Sequence, residues 1–172
     1  FNATYGDKMS SVLDITYRKP KGFESSLSGS LLGGSAFIGA GNDKFSFSGS
    51  ARYKTNRYLL NTLDTEGEYN PSFFDYQTYL TWSPTDRWSI EFLGNIARNS
   101  YNFTPSTRNT SFGTAENIKS FTMYFDGWEQ DYYNTMFGSL NINHRFNDNN
   151  SISLNTSFFN SQEEETFDIR SE

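Results

Sequence analysis

Residues 76–97, YQTYLTWSPTDRWSIEFLGNIA, hold two runs of alternating apolar and polar positions separated by a turn. After the turn, Trp88, Ile90, Phe92, Gly94 and Ile96 share one face, and Ser89, Glu91, Leu93, Asn95 and Ala97 share the other. Before it, Phe74, Tyr76, Thr78, Leu80 and Trp82 alternate with Asp75, Gln77, Tyr79 and Thr81. Period two marks a strand whose two faces meet different surroundings. Ser83-Pro84-Thr85-Asp86 supplies the turn chemistry between them.

The pattern recurs along the chain. In residues 44–54, Phe45, Phe47, Gly49, Ala51 and Tyr53 oppose Lys44, Ser46, Ser48, Ser50, Arg52 and Lys54. In residues 138–146, Leu140, Ile142, His144 and Phe146 oppose Asn141, Asn143 and Arg145. In residues 151–159, Ile152, Leu154, Thr156 and Phe158 oppose Ser151, Ser153, Asn155 and Ser157. Near the start, Phe23, Leu27 and Leu31 oppose Glu24, Ser26, Ser28 and Ser30, and a short return strand is expected around residues 35–40. No long helical period occurs. The fold class expected is all-β: about seven antiparallel strands joined up and down in sequence order.

The connections alternate in length. Those at residues 39–44, 83–87 and 147–150 are short, whereas roughly 55–73 and 100–134 read as long polar-aromatic loops. Numbering the strands in order puts the short turns at one end and the long loops at the other; the short connection at Gly33-Gly34 departs from this alternation. Asp126-Gly127, between Phe125 and Trp128, is a hairpin signal within the second loop.

Two environments suit such strands. In a soluble sandwich the apolar face is the core. In a transmembrane barrel it meets lipid and the polar face lines the lumen. The polar face here is mostly Ser, Asn, Thr and Gln, where a soluble outer face usually carries more Lys and Glu. The apolar face carries one potentially charged side chain, His144, near a turn. Trp82 and Trp88 stand on that face at the short-turn end, where a membrane-interface girdle would lie.

Composition narrows the choice. The 172 residues carry a net charge of −6, with no basic patch that would suit nucleic acid. The absence of cysteine excludes disulfides and thiolate metal sites. No run reaches the ~18 apolar residues of a membrane helix, but alternating membrane strands average out to low hydropathy. The chain starts at Phe1 without a signal sequence and ends soon after a strand-like run, so it is expected to be a piece of a longer protein.

YGDKMSSVLDITYRKP, residues 5–20, does not alternate; it resembles the end of the plug domain of TonB-dependent outer-membrane receptors. GFESSLSGSLLG, residues 22–33, is similar to their first barrel strand, and MYFDGWEQDYYNTMFGSLNIN, residues 123–143, to a recurrent stretch in the family. The resemblance implies a plug end over residues 1–21 and, over 22–172, about seven strands of a roughly 22-stranded transmembrane β-barrel. It further implies the bacterial outer membrane as location and TonB-driven uptake of a scarce nutrient such as an iron chelate, a cobalamin or a glycan. Its partners would be outer-membrane lipid, a small nutrient ligand, a surface lipoprotein, and TonB through a region upstream of this one. The other reading is a secreted all-β binding module, carbohydrate-binding-like, that uses the same aromatic loops.

No catalytic constellation or cofactor motif stands out, so no enzyme activity and no cofactor are expected. His144 is the sole histidine and reads as interfacial, and Glu163-Glu164-Glu165 lacks calcium-loop spacing and reads as a solvated loop margin. Ligand-binding candidates are the aromatics of the long segments: Tyr58, Tyr69, Tyr101, Phe112, Trp128, Tyr132 and Tyr133. Such rings supply contact area with a polar handle.

Overall fold

The computed structural model of the chain describes residues 15–60, 62, 67–114 and 116–172. Its elements are β1 (Glu24–Ser30), β2 (Gly33–Gly41), β3 (Phe45–Thr55), a single helical turn α1 (Arg57–Leu60), β4 (Gly67–Tyr69), β5 (Ser72–Trp82), β6 (Trp88–Pro105), β7 (Arg108–Thr114), β8 (Asn117–Met123), β9 (Phe125–Asn147) and β10 (Asn150–Ser171). One eight-stranded sheet runs β1-β2-β3-β5-β6-β9-β10 with β4 beside β6, and every pairing in it is antiparallel. The expected sequential all-β meander of seven strands is present. β7 and β8 pair only with each other, as a separate hairpin.

Side-chain chemistry closes the short turns. Asn42 Oδ1 accepts from the backbone N–H groups of Lys44 and Phe45, both at 2.9 Å. Asn147 Oδ1 accepts from the Asn149 N–H at 3.0 Å. At the third turn, Thr85 Oγ1 accepts from the Arg87 N–H. These are the local bonds that favour Asn and Thr at chain reversals. All three turns lie at one end of the sheet, called here the near end. The connections through α1–β4 and through β7–β8 lie at the far end, with the two-residue link Leu31-Leu32.

Four expectations are corrected. Most of 100–134 is strand, not loop: β6 runs to Pro105, β9 starts at Phe125, and β7 and β8 lie between them. The backbone groups of both extensions are satisfied by cross-strand pairing, from Ser100↔Tyr132 to Phe103↔Glu129. Asp126-Gly127 turns no hairpin. Gly127 holds a φ of +110° inside β9, and a Cβ there would collide with the Asp168 carbonyl oxygen, so glycine lets β9 stay paired with β10. The far-end hairpin forms instead between β7 and β8. Glu163–Glu165 is no loop margin either; it lies within β10, opposite Tyr133, Tyr132 and Asp131. The segment 55–73 is a loop only in part, holding α1 and β4. Residues 5–14 of the plug-like stretch fall outside the described residues.

The described residues form no hydrophobic core in the ordinary sense. Among the described residues the buried apolar side chains are Tyr79, 8 % exposed, which projects from the polar face, and Pro20, which precedes β1. The apolar face is uncovered: Ile38, Tyr53, Trp82, Ile96, Met136 and Leu154 are all exposed on it.

Candidate functional site

Register sorts the sheet into two surfaces. Cross-strand partners share a face, so Phe47, Leu80, Phe92 and Leu140 form one row of the apolar face. The next row toward the far end is Gly49, Thr78, Gly94 and Gly138, then Ala51, Tyr76, Ile96 and Met136. The rings of Phe47 and Phe92 lie over the glycine row; a methyl added at Gly94 would come within 3.1 Å of the Phe92 ring.

This apolar run is a bounded band. Its near-end limit carries Phe45, Trp82, Trp88 and Phe146, and its far-end limit carries Tyr53, Phe74 and Tyr76. Aromatic rings thus mark both margins, and Trp82 and Trp88 stand at the near one. Trp88 stacks on His144 at 4.1 Å between centroids, and His144 meets Phe146 edge-on at 4.5 Å. Beyond Ile96 and Met136 the same face turns polar, with Arg98, Asn134 and Gln162 in one row.

The band drifts across the hydrogen-bonded rows. Its far limit falls from Tyr53 and Phe74 to Ile96 and Met136, one row nearer, and to Phe158 on β10, a further row. Its near limit moves the same way, from Phe45 and Trp82 to Trp88 and then Phe146. Rows are two residues apart, so the drift is about four residues over the four steps from β3 to β10, roughly one per strand. With ~3.4 Å per residue and ~4.8 Å between strands, the strands cross the band about 35° off its normal. At that tilt, Trp88–Ile96 and Met136–Phe146 span about 22–28 Å of band height.

The polar face receives the segment that precedes β1. Tyr17 stacks on Tyr79 at 5.1 Å, and Gln77 Nε2 donates to Tyr17 Oη at 2.9 Å. Lys19 Nζ reaches Glu91 Oε1 at 2.7 Å. Arg18 pairs with Glu24 at 2.8 Å, and the Gly22 N–H donates to the Gly41 carbonyl at 2.8 Å. Ser46 and Thr81 hydroxyls share a buried hydrogen bond of 2.7 Å on this face.

Beyond the band at the far end, the polar-face side, called here the inner side because residues 17–22 lie on it, carries aromatic rings and carboxylates. Register places Tyr101, Asp131 and Glu165 in one row, Tyr133 and Glu163 in the next, and Tyr69, Phe103 and Glu129 in the row on the other side. Tyr69 meets Phe103 at 4.7 Å and Tyr101 at 6.3 Å. Tyr133 Oη donates to Glu165 Oε1 at 3.3 Å. Burial, then the neighbouring Tyr69, Glu129 and Asp131, push the Tyr101 hydroxyl above its ordinary pKa, so it stays a neutral donor at physiological pH.

The seven aromatic candidates therefore do not form one site. Tyr69, Tyr101 and Tyr133 converge on the inner far-end face. Trp128 and Tyr132 lie on the opposite face of β9, where the Arg98 guanidinium sits 5.6 Å from the Tyr132 ring centroid. Phe112 projects from the free hairpin, 57 % exposed, and Tyr58 from α1, 66 % exposed. Sequence reasoning passed over Asp131, which is 8 % exposed and has a buried Oδ1 without a hydrogen-bond partner among the described residues. No local sequence signal marks it, since its burial comes from cross-strand neighbours on β6 and β10. No group of three or more His, Cys, Asp or Glu among the described residues is arranged to hold a metal ion. Comparison with protein-family models, curated proteins and solved structures finds no match.

Proposed function

We propose that this chain forms consecutive strands of an outer-membrane β-barrel of the TonB-dependent receptor type, serving active uptake of a scarce nutrient. The apolar face is then the lipid face and the polar face the lumen wall. The observation that carries this reading is the pairing of an uncovered apolar face with a polar face that holds residues 17–22. A soluble sandwich needs the reverse, a second layer on the apolar side. The aromatic margins, the ~25 Å band and the ~35° drift support the same reading, since barrel strands tilt by about 35–45° beneath girdles of this kind. The segment on the lumen face occupies the place of the end of a plug. The near-end turns are periplasmic and the far-end strands extracellular, because a chain leaving a periplasmic plug starts its first strand outward.

Cysteine labelling on intact cells tests this, and no native cysteine interferes. Thr107→Cys, at the far end, should react with a membrane-impermeant maleimide. Asp86→Cys, in the near-end turn, should react only after the outer membrane is opened. The reverse pattern inverts the topology, and equal labelling of both on a secreted protein supports a soluble binding module.

A further inference from the structure

The inner face beyond the band holds a buried carboxyl oxygen without a hydrogen-bond partner among the described residues. Asp131 is more than nine-tenths buried, and its Oδ1 has no hydrogen-bond partner among the described residues. A buried carboxylate without a partner is costly, so such a group is kept where something complementary arrives. Its surroundings deepen the demand. Glu165 is its register partner on β10 and Tyr101 on β6, while Glu129 and Tyr133 flank it along β9. Among the described residues none of these carboxylates has a cation in an ion pair; the hydroxyl of Tyr133 on Glu165 is the hydrogen bond they share. The basic side chains nearest in register, Arg98 and Arg170, lie on the opposite face.

We propose that this face binds an organic cation carrying two or more ammonium or guanidinium groups, with Asp131 as its anchor. A bare metal ion fits poorly, since among the described residues no three carboxylates converge as ligands. The carboxylates are spread instead over sheet spacings, ~4.8 Å between strands and ~7 Å along one, which suits charges distributed along a flexible molecule. The rings of Tyr69 and Tyr101 add faces that attract a desolvated ammonium or guanidinium. Charge-assisted hydrogen bonds to Asp131 and Glu165 would fix its heads. This inference names the ligand class of the proposed receptor and rests on that reading only for access from outside the cell.

The test is calorimetric titration of spermidine into the intact protein in detergent micelles. Saturable binding is expected, weakened roughly tenfold or more in Asp131→Asn and to a lesser degree in Glu165→Gln. Asp168→Asn, on the opposite face, should leave it unchanged. Tyr101→Leu removes a ring without altering charge and should also weaken binding, so the proposal stays testable if Asp131→Asn fails to fold. No binding to the unaltered protein overturns the proposal, as does equal affinity in Asp131→Asn and Asp168→Asn. Displacement by Mg2+ at matched ionic strength as readily as by a second polyamine also overturns it, because that marks a diffuse field. Micelle binding does not depend on sidedness, so its failure is distinct from failure of the labelling experiment.

Discussion

Replacing Phe92 by arginine is the sharpest probe of which medium meets the apolar face. Phe92 lies two rows from the near margin at Trp88 and two from the far margin at Ile96, and so at mid-band. Its register partners are Leu80 and Leu140, and its ring covers Gly94 and Gly138. Arginine at a bilayer midplane costs about 2–4 kcal/mol. Loss of the phenyl ring from an apolar medium adds about 1.5–3 kcal/mol. The expected penalty is thus roughly 3.5–7 kcal/mol, much of the ~5–15 kcal/mol that holds a typical fold. Asn95→Arg is the matched control, three positions on and on the polar face. It gives up one exposed 3.4 Å bond to the Tyr76 carbonyl, worth about 0.5–1 kcal/mol.

The assay is folding of the intact protein into lipid vesicles, read by urea titration and by the heat-dependent gel mobility of assembled barrels. Phe92→Arg should abolish or strongly reduce assembly while Asn95→Arg folds. Ile96→Arg supplies the depth dependence: near the interface the arginine term falls to about 0–1 kcal/mol, so this variant should fall between the two. A soluble core would show no gradient set by distance along the strand. Equal tolerance of Phe92→Arg and Asn95→Arg refutes the facing assignment.

Other outcomes follow from the same geometry. The isolated chain should need detergent to stay dispersed, because its described residues expose a continuous apolar face and two sheet edges unpaired among them; a monodisperse, cooperatively melting monomer in plain buffer points to the sandwich. Tyr17→Ala should release residues 15–20 from the polar face of the sheet, raising protease cleavage there without impairing folding of the sheet. Lys19→Ala should do less, since its pair with Glu91 is half exposed and worth ~1 kcal/mol or under. Gly127→Val forces a branched residue into a positive φ and against the Asp168 carbonyl, a penalty of at least about 1–3 kcal/mol. Hydrogen exchange should then rise in residues 125–135 and 160–171 and stay unchanged in the band.

Where strand alternation was strong, the sequence read true. The register pairs that join Phe45 to Trp82, Leu80 to Phe92 and Ile142 to Leu154 follow from runs whose faces differ plainly in polarity. The extensions of β6, β9 and β10 were illegible for the opposite reason. Past Arg98, Asn134 and Gln162 both faces meet polar surroundings, so alternation carries little contrast although the backbone pairing continues. Asp126-Gly127 misled because a positive-φ glycine suits a two-residue turn and an irregular strand position equally well. Asp131 was invisible because its burial comes from neighbours on β6 and β10 that its local sequence does not reveal.

That misreading changes the energetics expected of ligand capture. Aromatics on loops of the kind expected over 100–134 would have to be ordered when a ligand arrives, at roughly 0.5–1.5 kcal/mol per immobilised side chain. In the structure Tyr101 and Tyr133 belong to paired strands that rise past the band. The eleven positions of β9 from Phe125 to Thr135 extend about 30 Å beyond it at the ~35° tilt. Rings and carboxylates carried this way are spaced by register before any ligand binds, as in sites built on rigid elements. The Tyr69 ring reaches the same face through a three-residue strand paired to β6, so even the contribution from the α1–β4 connection is held by backbone hydrogen bonds. A site preorganised to this degree discriminates by the spacing of charges more than by adaptation. Lengthening or shortening a polyamine probe by one methylene between its ammonium groups should therefore change its affinity for the inner far-end face more than adding a methylene at its end.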